Sequence, residues 1–391
     1  MKVLLNTFLV IMLLILAGCG GGNKQSTDDG FIKVDVTANY PEKELILQDF
    51  MDVEYIALET TDEFLNQGFV RAIGKDVILV TNRINDGDIF VYDINGQGLR
   101  KINRKGQGGE EYSQISEIVL DENNIEMFVR DNSARKILVY DLFGNFKRSF
   151  KFADTGYYTD VYNYDQEHLI CYKMYYSTES EQPGHLIISK QDGSITRKIK
   201  IPYKELKNTI VRKAENDMVL TATVPFYQII PYHGDFVLAE ASSDTVYTCF
   251  SDGTISPFIV RTPSIYSMEP EVFLCPSVLT DRYYFMQTVK KEIESVTSSM
   301  NVVIPNTDLV YDRQENAIFK YTVYNDDFSS KRRVGMSSPA VNHEIAAQRS
   351  LEAYQLVEAY EKGELKGKLK EIAAALDEES NPVIMLIKYK K

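Results

Sequence analysis

The sequence contains no tryptophan, only four histidines and only four cysteines. Scarce histidine removes the commonest ligands and bases of metal or acid–base chemistry. His168, His185, His233 and His343 stand apart from one another, although a fold that gathers distant residues could still bring the first three together. There is no Gly-x-Ser-x-Gly elbow for a serine nucleophile. The glycine-rich Gly106-Gln107-Gly108-Gly109 lacks both the Gly-Lys-Ser/Thr ending and the strand-to-helix setting of a phosphate loop. Cys171, Cys249 and Cys275 show no Cys-x-x-Cys spacing, which argues against a zinc site. Their odd number argues against a disulfide framework, so buried free thiols are expected, with one joined pair as the alternative in an exported chain. Positive charge is also in deficit: 43 Lys and Arg stand against 56 Asp and Glu, a net charge of −13. Such a surface repels nucleic-acid phosphates and anionic lipid alike, so no nucleic-acid partner is expected.

The one long apolar run, Phe8 to Ala17, follows Lys2 and ends in Leu16-Ala17-Gly18-Cys19. This is the charged head, apolar middle and small-residue cleavage site of a secretory signal. It is too short for a membrane span, which needs about 20 apolar residues. A cysteine directly after Leu-Ala-Gly resembles the bacterial lipobox. That resemblance implies cleavage before Cys19, lipid on its thiol, and a mature chain held to a membrane by that lipid. Gly20 in place of Asp at the next position implies the outer rather than the inner membrane. A plain signal peptide with an incidental cysteine is the alternative. Residues 20–30 carry no apolar side chain and read as a solvated tether. The expected organisation is therefore signal peptide 1–18, tether 19–30 and a folded domain 31–391.

Aromatic content resides in 25 Tyr and 19 Phe, a bias suited to half-buried strand faces. Short β-branched and aromatic runs such as 76–81, 88–93 and 136–141 are bounded by Asn, Asp or Gly. A unit recurs: a strand, a polar turn with Gly or Asn, then another strand. It occurs at Tyr92-Asp93-Ile94-Asn95-Gly96 and Tyr140-Asp141-Leu142-Phe143-Gly144. Weaker copies are Asp192-Gly193, Asp252-Gly253 and Tyr311-Asp312 to Glu315-Asn316. The turn glycines lie 48, 49 and 60 residues apart. A period near 50 with several strands per unit indicates a β-propeller, with a β-sandwich as the alternative. Five units are countable. Strand-like segments at 53–59 and 381–389 are left over, and pairing them would complete a sixth blade from both termini and remove an exposed edge. The expectation is an all-β, six-bladed β-propeller closed by N- and C-terminal strands. One helical insertion is expected over 344–376, divided at Gly363, with Leu365, Leu369, Ile372, Ala373 and Leu376 packed on the outside or bottom of the ring.

The loop Arg104-Lys105-Gly106-Gln107-Gly108-Gly109-Glu110-Glu111-Tyr112 resembles the Gly-x-Gly-Pro-Gly-Glu-Phe/Tyr loop of NHL-like six-bladed propellers. It is most similar to the uncharacterised "6-bladed β-propeller" lipoprotein families of Gram-negative bacteria. The stretch Phe128-Val129-Arg130-Asp131-Asn132-Ser133-Ala134-Arg135-Lys136-Ile137 and the ending Asn381-Pro382-Val383-Ile384-Met385 are similar to theirs as well. Gly109 stands where those families have Pro and Glu110 where they have Gly.

In a four-stranded blade, the turns joining first to second and third to fourth strands fall on one face. The remaining connections fall on the other. That second face should gather Arg83, Arg104, Glu110, Glu111, Arg130, Asp131 and Arg135 around one rim, the expected ligand site. Such residues also tie blades together in repeat folds. The expected function is an envelope-anchored binding propeller for a glycan, peptide or envelope protein, without a cofactor. The alternative is a lyase or hydrolase with a metal or polar site in the pore; catalytic residues are not identifiable.

Overall fold

The computed structural model describes residues 30–152, 156–174, 183–215, 218–296 and 302–390. Cys19, the signal and most of the tether lie outside them. The chain opens with β1 (Ile32–Asp35), β2 (Glu42–Ile46), a short helix α1 (Leu47–Phe50) and β3 (Met51–Ala57). Blade one follows as β4 (Phe69–Ile73), β5 (Val77–Thr81), β6 (Asp88–Asp93) and β7 (Gly98–Asn103). Blade two comprises β8 (Glu117–Asp121), β9 (Glu126–Asp131), β10 (Lys136–Asp141) and β11 (Phe146–Lys151). Blade three comprises β12 (Tyr157–Asn163), β13 (His168–Met174), β14 (Gly184–Ser189) and β15 (Ile195–Ile199). A hairpin, β16 (Ile210–Glu215) and β17 (Met218–Thr223), leads into blade four. That blade is β18 (Ile229–Tyr232), β19 (Asp235–Leu238), β20 (Thr245–Cys249) and β21 (Ile255–Thr262). Blade five holds β22 (Val272–Leu279) and β23 (Tyr283–Lys290), then a small hairpin of β24 (Ser295–Val296) and β25 (Val302–Val303). It continues with β26 (Asn306–Asp312), β27 (Ala317–Asn325) and the edge strand β28 (Arg332–Val334). The last elements are β29 (Ile345–Leu351), α2 (Ala353–Glu361), α3 (Gly367–Ala373) and β30 (Val383–Tyr389).

Blade six is a joint product of both ends of the chain. β30 pairs antiparallel with β29 on one side and with β3 on the other, from Met51↔Tyr389 to Ala57↔Val383. The two leftover strand segments therefore meet as expected. The innermost strand of this three-stranded blade is β29, beside the inner strands β22 and β4 of its neighbours, and residues 335–344 before it form no regular strand. On the way to β3, β1 adds to the edge of blade four and β2 to the edge of blade five, both parallel. These two additions cover edges that would otherwise stay open.

The recurrent unit has a physical explanation. In blades one to four the hairpin between third and fourth strands carries a register shift, at Val91/Tyr92, Val139/Tyr140, Ile187/Ile188 and Val246/Tyr247. Each is followed by a glycine of positive φ: Gly96, Gly144, Gly193 and Gly253. A neighbouring aspartate accepts turn N–H groups, as Asp93 does from Asn95 and Gln97 at 2.9 and 2.8 Å. Each glycine is also pressed against the outer strand of the blade before it. A Cβ on Gly96 would lie 2.1 Å from the Ala57 carbonyl oxygen, and one on Gly144 would lie 2.7 Å from Ile102. The tyrosines of the unit serve the same joint. Tyr140, fully buried, donates to the Glu110 carbonyl at 2.6 Å, and Tyr92 donates to the Phe64 carbonyl at 2.9 Å. The glycines and tyrosines of this repeat are the mortise joints between blades.

The helical insertion is shorter than expected. Residues 345–351 are the strand β29, so helix runs only over 353–373, with Gly363 at φ +69° dividing it. It joins β29 to β30 at the end of the blade where β3 leads on to β4, which puts it on the face opposite the Gly96-type turns rather than at the bottom. Its apolar stripe is used as expected: Leu356, Leu365, Leu369 and Ala373 are buried in one cluster with Tyr55, Phe328, Val383 and Met385. Cys171, Cys249 and Cys275 are buried and unpaired.

Gly96→Ala is expected to lower stability by about 2–4 kcal/mol, because it combines left-handed strain with a backbone clash. Gly234→Ala, at φ +82° with nothing within 4 Å of its Cβ position, should cost only about 1–2 kcal/mol. Equal losses in denaturant titrations would contradict the inter-blade role of Gly96.

Candidate functional site

Six inner strands, β4, β8, β12, β18, β22 and β29, surround the central channel, and residues 335–344 lead into the last of them. That segment leaves the wall and crosses to the opposite blade. The Tyr162 hydroxyl on β12 donates to the Ala340 carbonyl at 3.2 Å, and Asn342 Nδ2 donates to the Ile73 carbonyl at 3.0 Å. His343 packs edge-on against Phe236 at 5.0 Å. Ile73 ends β4, so the crossing lies towards the face of the Gly96-type turns. Among the described residues the channel is thereby plugged at that end and open towards the other.

Polar side chains occupy the open end. Arg71 on β4 donates from Nε to Thr81 Oγ1 at 2.9 Å and from Nη1 to the Ser116 carbonyl at 3.2 Å. Arg130 at the end of β9 pairs through Nε with Glu117 on β8 at 3.0 Å and also bonds the Tyr158 carbonyl. Asp160 on β12 accepts the Gln228 N–H at 2.7 Å, stitching blades three and four. Arg349 on β29 donates from Nη2 to the Gly335 carbonyl at 2.8 Å and to Ser338 Oγ at 3.1 Å. Three of these elements, β4, β12 and β29, belong to the channel wall, Arg130 comes from the second strand of its blade, and each of these side chains is half-buried.

Local backbone irregularity aims two of them. The β4–β5 ladder shifts register between Val70 and Ala72, leaving Arg71 out of the pairing. The β12–β13 ladder shifts between Thr159 and Tyr162, and Asp160 within that gap has φ +48°. Bulges re-aim side chains in this way beside many sites. A positive φ at a non-glycine residue costs about 1–2 kcal/mol.

Burial dominates the electrostatics. Desolvation, reinforced by Glu117 and opposed by the Gln228 and Ile229 N–H groups, pushes the Asp160 carboxyl up to about 7. Desolvation also raises Glu117, despite the pull of Arg130 and Arg71. Burial lifts the Tyr162 hydroxyl well above its ordinary range, and Tyr227 rises for the same reason. The guanidinium groups of Arg71 and Arg349 are lowered by the same loss of solvent. The arrangement can accept or donate hydrogen bonds at several depths. It also offers one carboxyl that changes charge near neutral pH.

The residues singled out in the sequence fall in three places. Arg83 and Arg130 lie at the open end, Arg83 on the rim with its side chain 3.7 Å from Glu352 and Arg130 deeper. Arg104 turns outward instead and donates from Nε to the Gly144 carbonyl at 2.8 Å; Glu110 and Glu111 sit in the same loop. Glu111 Oε2 accepts the Gly108 N–H at 2.7 Å and braces the loop, while Tyr140 and Lys136 of blade two donate to the Glu110 and Glu111 carbonyls at 2.6 and 3.0 Å, so the loop clamps blade one to blade two. Asp131 is fully buried and holds Ser113 N at 2.7 Å and Ala134 N at 2.9 Å. Arg135, at φ +54°, lies over the Tyr157 ring at 5.4 Å. Arg71, Glu117, Asp160, Tyr162 and Arg349 carried no sequence signal, because a bulge on an inner strand is a tertiary feature. The histidines do not converge: His168 bonds Asp165 at 2.9 Å, His185 bonds the Gln228 carbonyl at 2.9 Å and His233 bonds Asp281 at 2.8 Å. Among the described residues no group of three or more His, Cys, Asp or Glu could hold a metal ion.

The fold is that of a six-bladed β-propeller with one plugged channel mouth. The chain belongs to the family described as Domain of unknown function (DUF4934), which matches residues 31–388. A search of curated proteins finds no match. Among solved structures the chain is similar to a candidate exported protein of Bacteroides fragilis, at 16% identity and a TM-score of 0.59, covering 92% of this chain and 99% of that one. It is also similar to a member of the DUF4221 family from Bacteroides vulgatus, at 10% identity and a TM-score of 0.42, covering 88% and 99%.

Asp160 gives the site a testable pH signature. Its folded pKa lies above the unfolded value of about 4, so its contribution is complete at low pH and is lost as pH rises from about 4 to 7. Asp160→Asn removes that loss while keeping an oxygen for the Gln228 N–H. The melting temperature of the variant relative to wild type should therefore climb between pH 5 and pH 8. Parallel pH profiles for the two proteins would contradict the placement of this carboxyl.

Proposed function

We propose that this chain is a ligand-binding propeller of the cell envelope, held to the outer membrane by lipid on Cys19. Its ligand, a glycan, a peptide or a segment of an envelope protein, enters the open mouth of the channel. The observation that carries the reading is the half-buried cluster of Arg71, Glu117, Arg130 and Asp160 above a plug. Polar groups so placed cost stability unless they are bonded, and the apolar clusters within and between the blades already hold the ring. A cluster of this kind, on bulged strands at one end of a blind channel, suits recognition. The leader, the Leu-Ala-Gly-Cys19 sequence and the likeness to an exported protein support an envelope position.

A second reading has one observation in its favour. A carboxyl titrating near pH 7 beside Tyr162 is suited to general acid–base work, so a lyase or hydrolase in the same channel would use Asp160.

The test is a glycan and peptide array probed with the soluble chain from residue 31 onward. Ligands that bind wild type should lose at least about tenfold in affinity with the double variant Glu117→Gln, Asp160→Asn, checked for folding by circular dichroism. Ligands that bind the folded double variant as well as wild type would refute the channel mouth as the site. Turnover of a bound ligand that Asp160→Asn abolishes would decide for the enzyme.

A further inference from the structure

A cavity of about 180 Å³ opens on the rim beside the channel, formed by the loop between β5 and β6 with Arg71 below it and Gln114 and Ile115 at its side. Pockets for drug-sized ligands run to about 300–1,000 Å³, so this one suits a single terminal residue of a larger ligand. Its polar lining is mostly spoken for. Asp86 accepts from Asn82 Nδ2 at 2.6 Å and from the Asp88 N–H at 3.0 Å. Asp88 accepts from Asn103 at 2.7 Å and pairs with Lys101 at 2.7 Å. Gln114 bonds Ser116 at 3.0 Å and Ser133 at 2.9 Å, and Asn85 donates to the Ser113 carbonyl at 3.3 Å.

The two arginines are different. Arg71 uses Nε and Nη1 on Thr81 and Ser116, and its guanidinium lies 4.3 Å from the centroid of the Phe69 ring. A guanidinium has five N–H donors, so Nη2 and the second Nη1 proton are left over. Glu117 acts on Arg71 at a distance, but it is Arg130 that holds Glu117, at 3.0 Å. Among the described residues Arg71 makes no ion pair. Among the described residues the Arg83 side chain, 65% exposed, has only the loose 3.7 Å contact with Glu352. The unspent charged donors of the cavity therefore lie on these two arginines, and a paired set of guanidinium donors matches a carboxylate.

We propose that this cavity binds a carboxylate on the terminal residue of the ligand, with Arg71 as its anchor and Arg83 as a rim contact. The proposal rests on the reading that ligand approaches this face. A uronic acid and a peptide C-terminus share the chemistry, so both are tested.

Calorimetry on the soluble chain compares glucuronate with glucose, and acetyl-Ala-Ala acid with its amide. At least one acid should bind wild type about tenfold or more tightly than its neutral counterpart, about 1.4 kcal/mol. Arg71→Gln should erase that preference, while Arg71→Lys keeps part of it and Arg83→Gln lowers acid affinity about threefold. The proposal is overturned if neither acid binds, if a neutral counterpart binds equally well, or if the acid preference survives in folded Arg71→Gln. Should Arg71→Gln not fold, unchanged acid affinity in Arg83→Gln overturns it. An array ligand that needs Glu117 and Asp160 but not Arg71 would overturn this pocket and leave the channel mouth standing.

Discussion

Everything in this molecule depends on one antiparallel pairing, that of β3 with β30. Six blades related by rotation close only if the last is held to the first, and here the chain supplies one blade from two ends more than 330 residues apart, as in the Val53↔Ile387 pair. The pairing does three things at once. It satisfies the backbone of β30 on both sides, and it places the Ala57 carbonyl against Gly96 of blade one. It also sets the floor of the helical insertion, whose Leu365 and Leu369 pack among Tyr55 and Met385. The entropy of closing so long a loop grows only slowly with its length. The cost is offset by seven paired residues with β3 on one side of β30, six with β29 on the other, and the apolar cluster beneath them.

Closure also decides the channel. Blade six takes its strands β29, β30 and β3 from the tail and head of the chain, and residues 335–344, which precede β29, form no strand of their own. They cross to Tyr162 and leave a blind mouth on one face. Six inner strands then present a wall in which the ladder breaks at Arg71 and at Asp160. The polar groups at those breaks add single bonds between blades, Arg71 to Ser116 and Asp160 to Gln228, whereas glycine contacts and buried tyrosine hydroxyls nearer the rim recur from joint to joint. Division of labour between outer joints and inner wall is what allows the wall to be polar.

Much of this was legible beforehand, for reasons that differ by element. Gly96 and Gly144 announce hairpins because only glycine tolerates their φ cheaply, and their spacing counts blades. The terminal strands could be paired because each had alternating or continuous apolar residues and no other partner. The start of the helical insertion misled because Ile345-Ala346-Ala347-Gln348-Arg349 favours helix on intrinsic grounds, and only its pairing with β30 makes it a strand. The loops of the face opposite the Gly96-type turns were assigned to the correct connections, yet their distance from the axis was not readable. Arg104, Glu110 and Glu111 belong to an outer clamp, whereas Arg130 reaches the channel. Asp160 was invisible because an aspartate in a strand gives no sign of the bulge that turns it inward.

The central claim is that β3 is an integral strand of the ring rather than an attached end. Native-state hydrogen exchange of the soluble chain, followed for the amides of Val53, Tyr55 and Ala57 and for those of β5 and β9, tests it most directly. The account predicts that β3 and β30 exchange together, with protection equal to that of the central strands of blades one and two, through global opening. Exchange of β3 by a separate low-energy opening, while β5 and β9 stay protected, would contradict it.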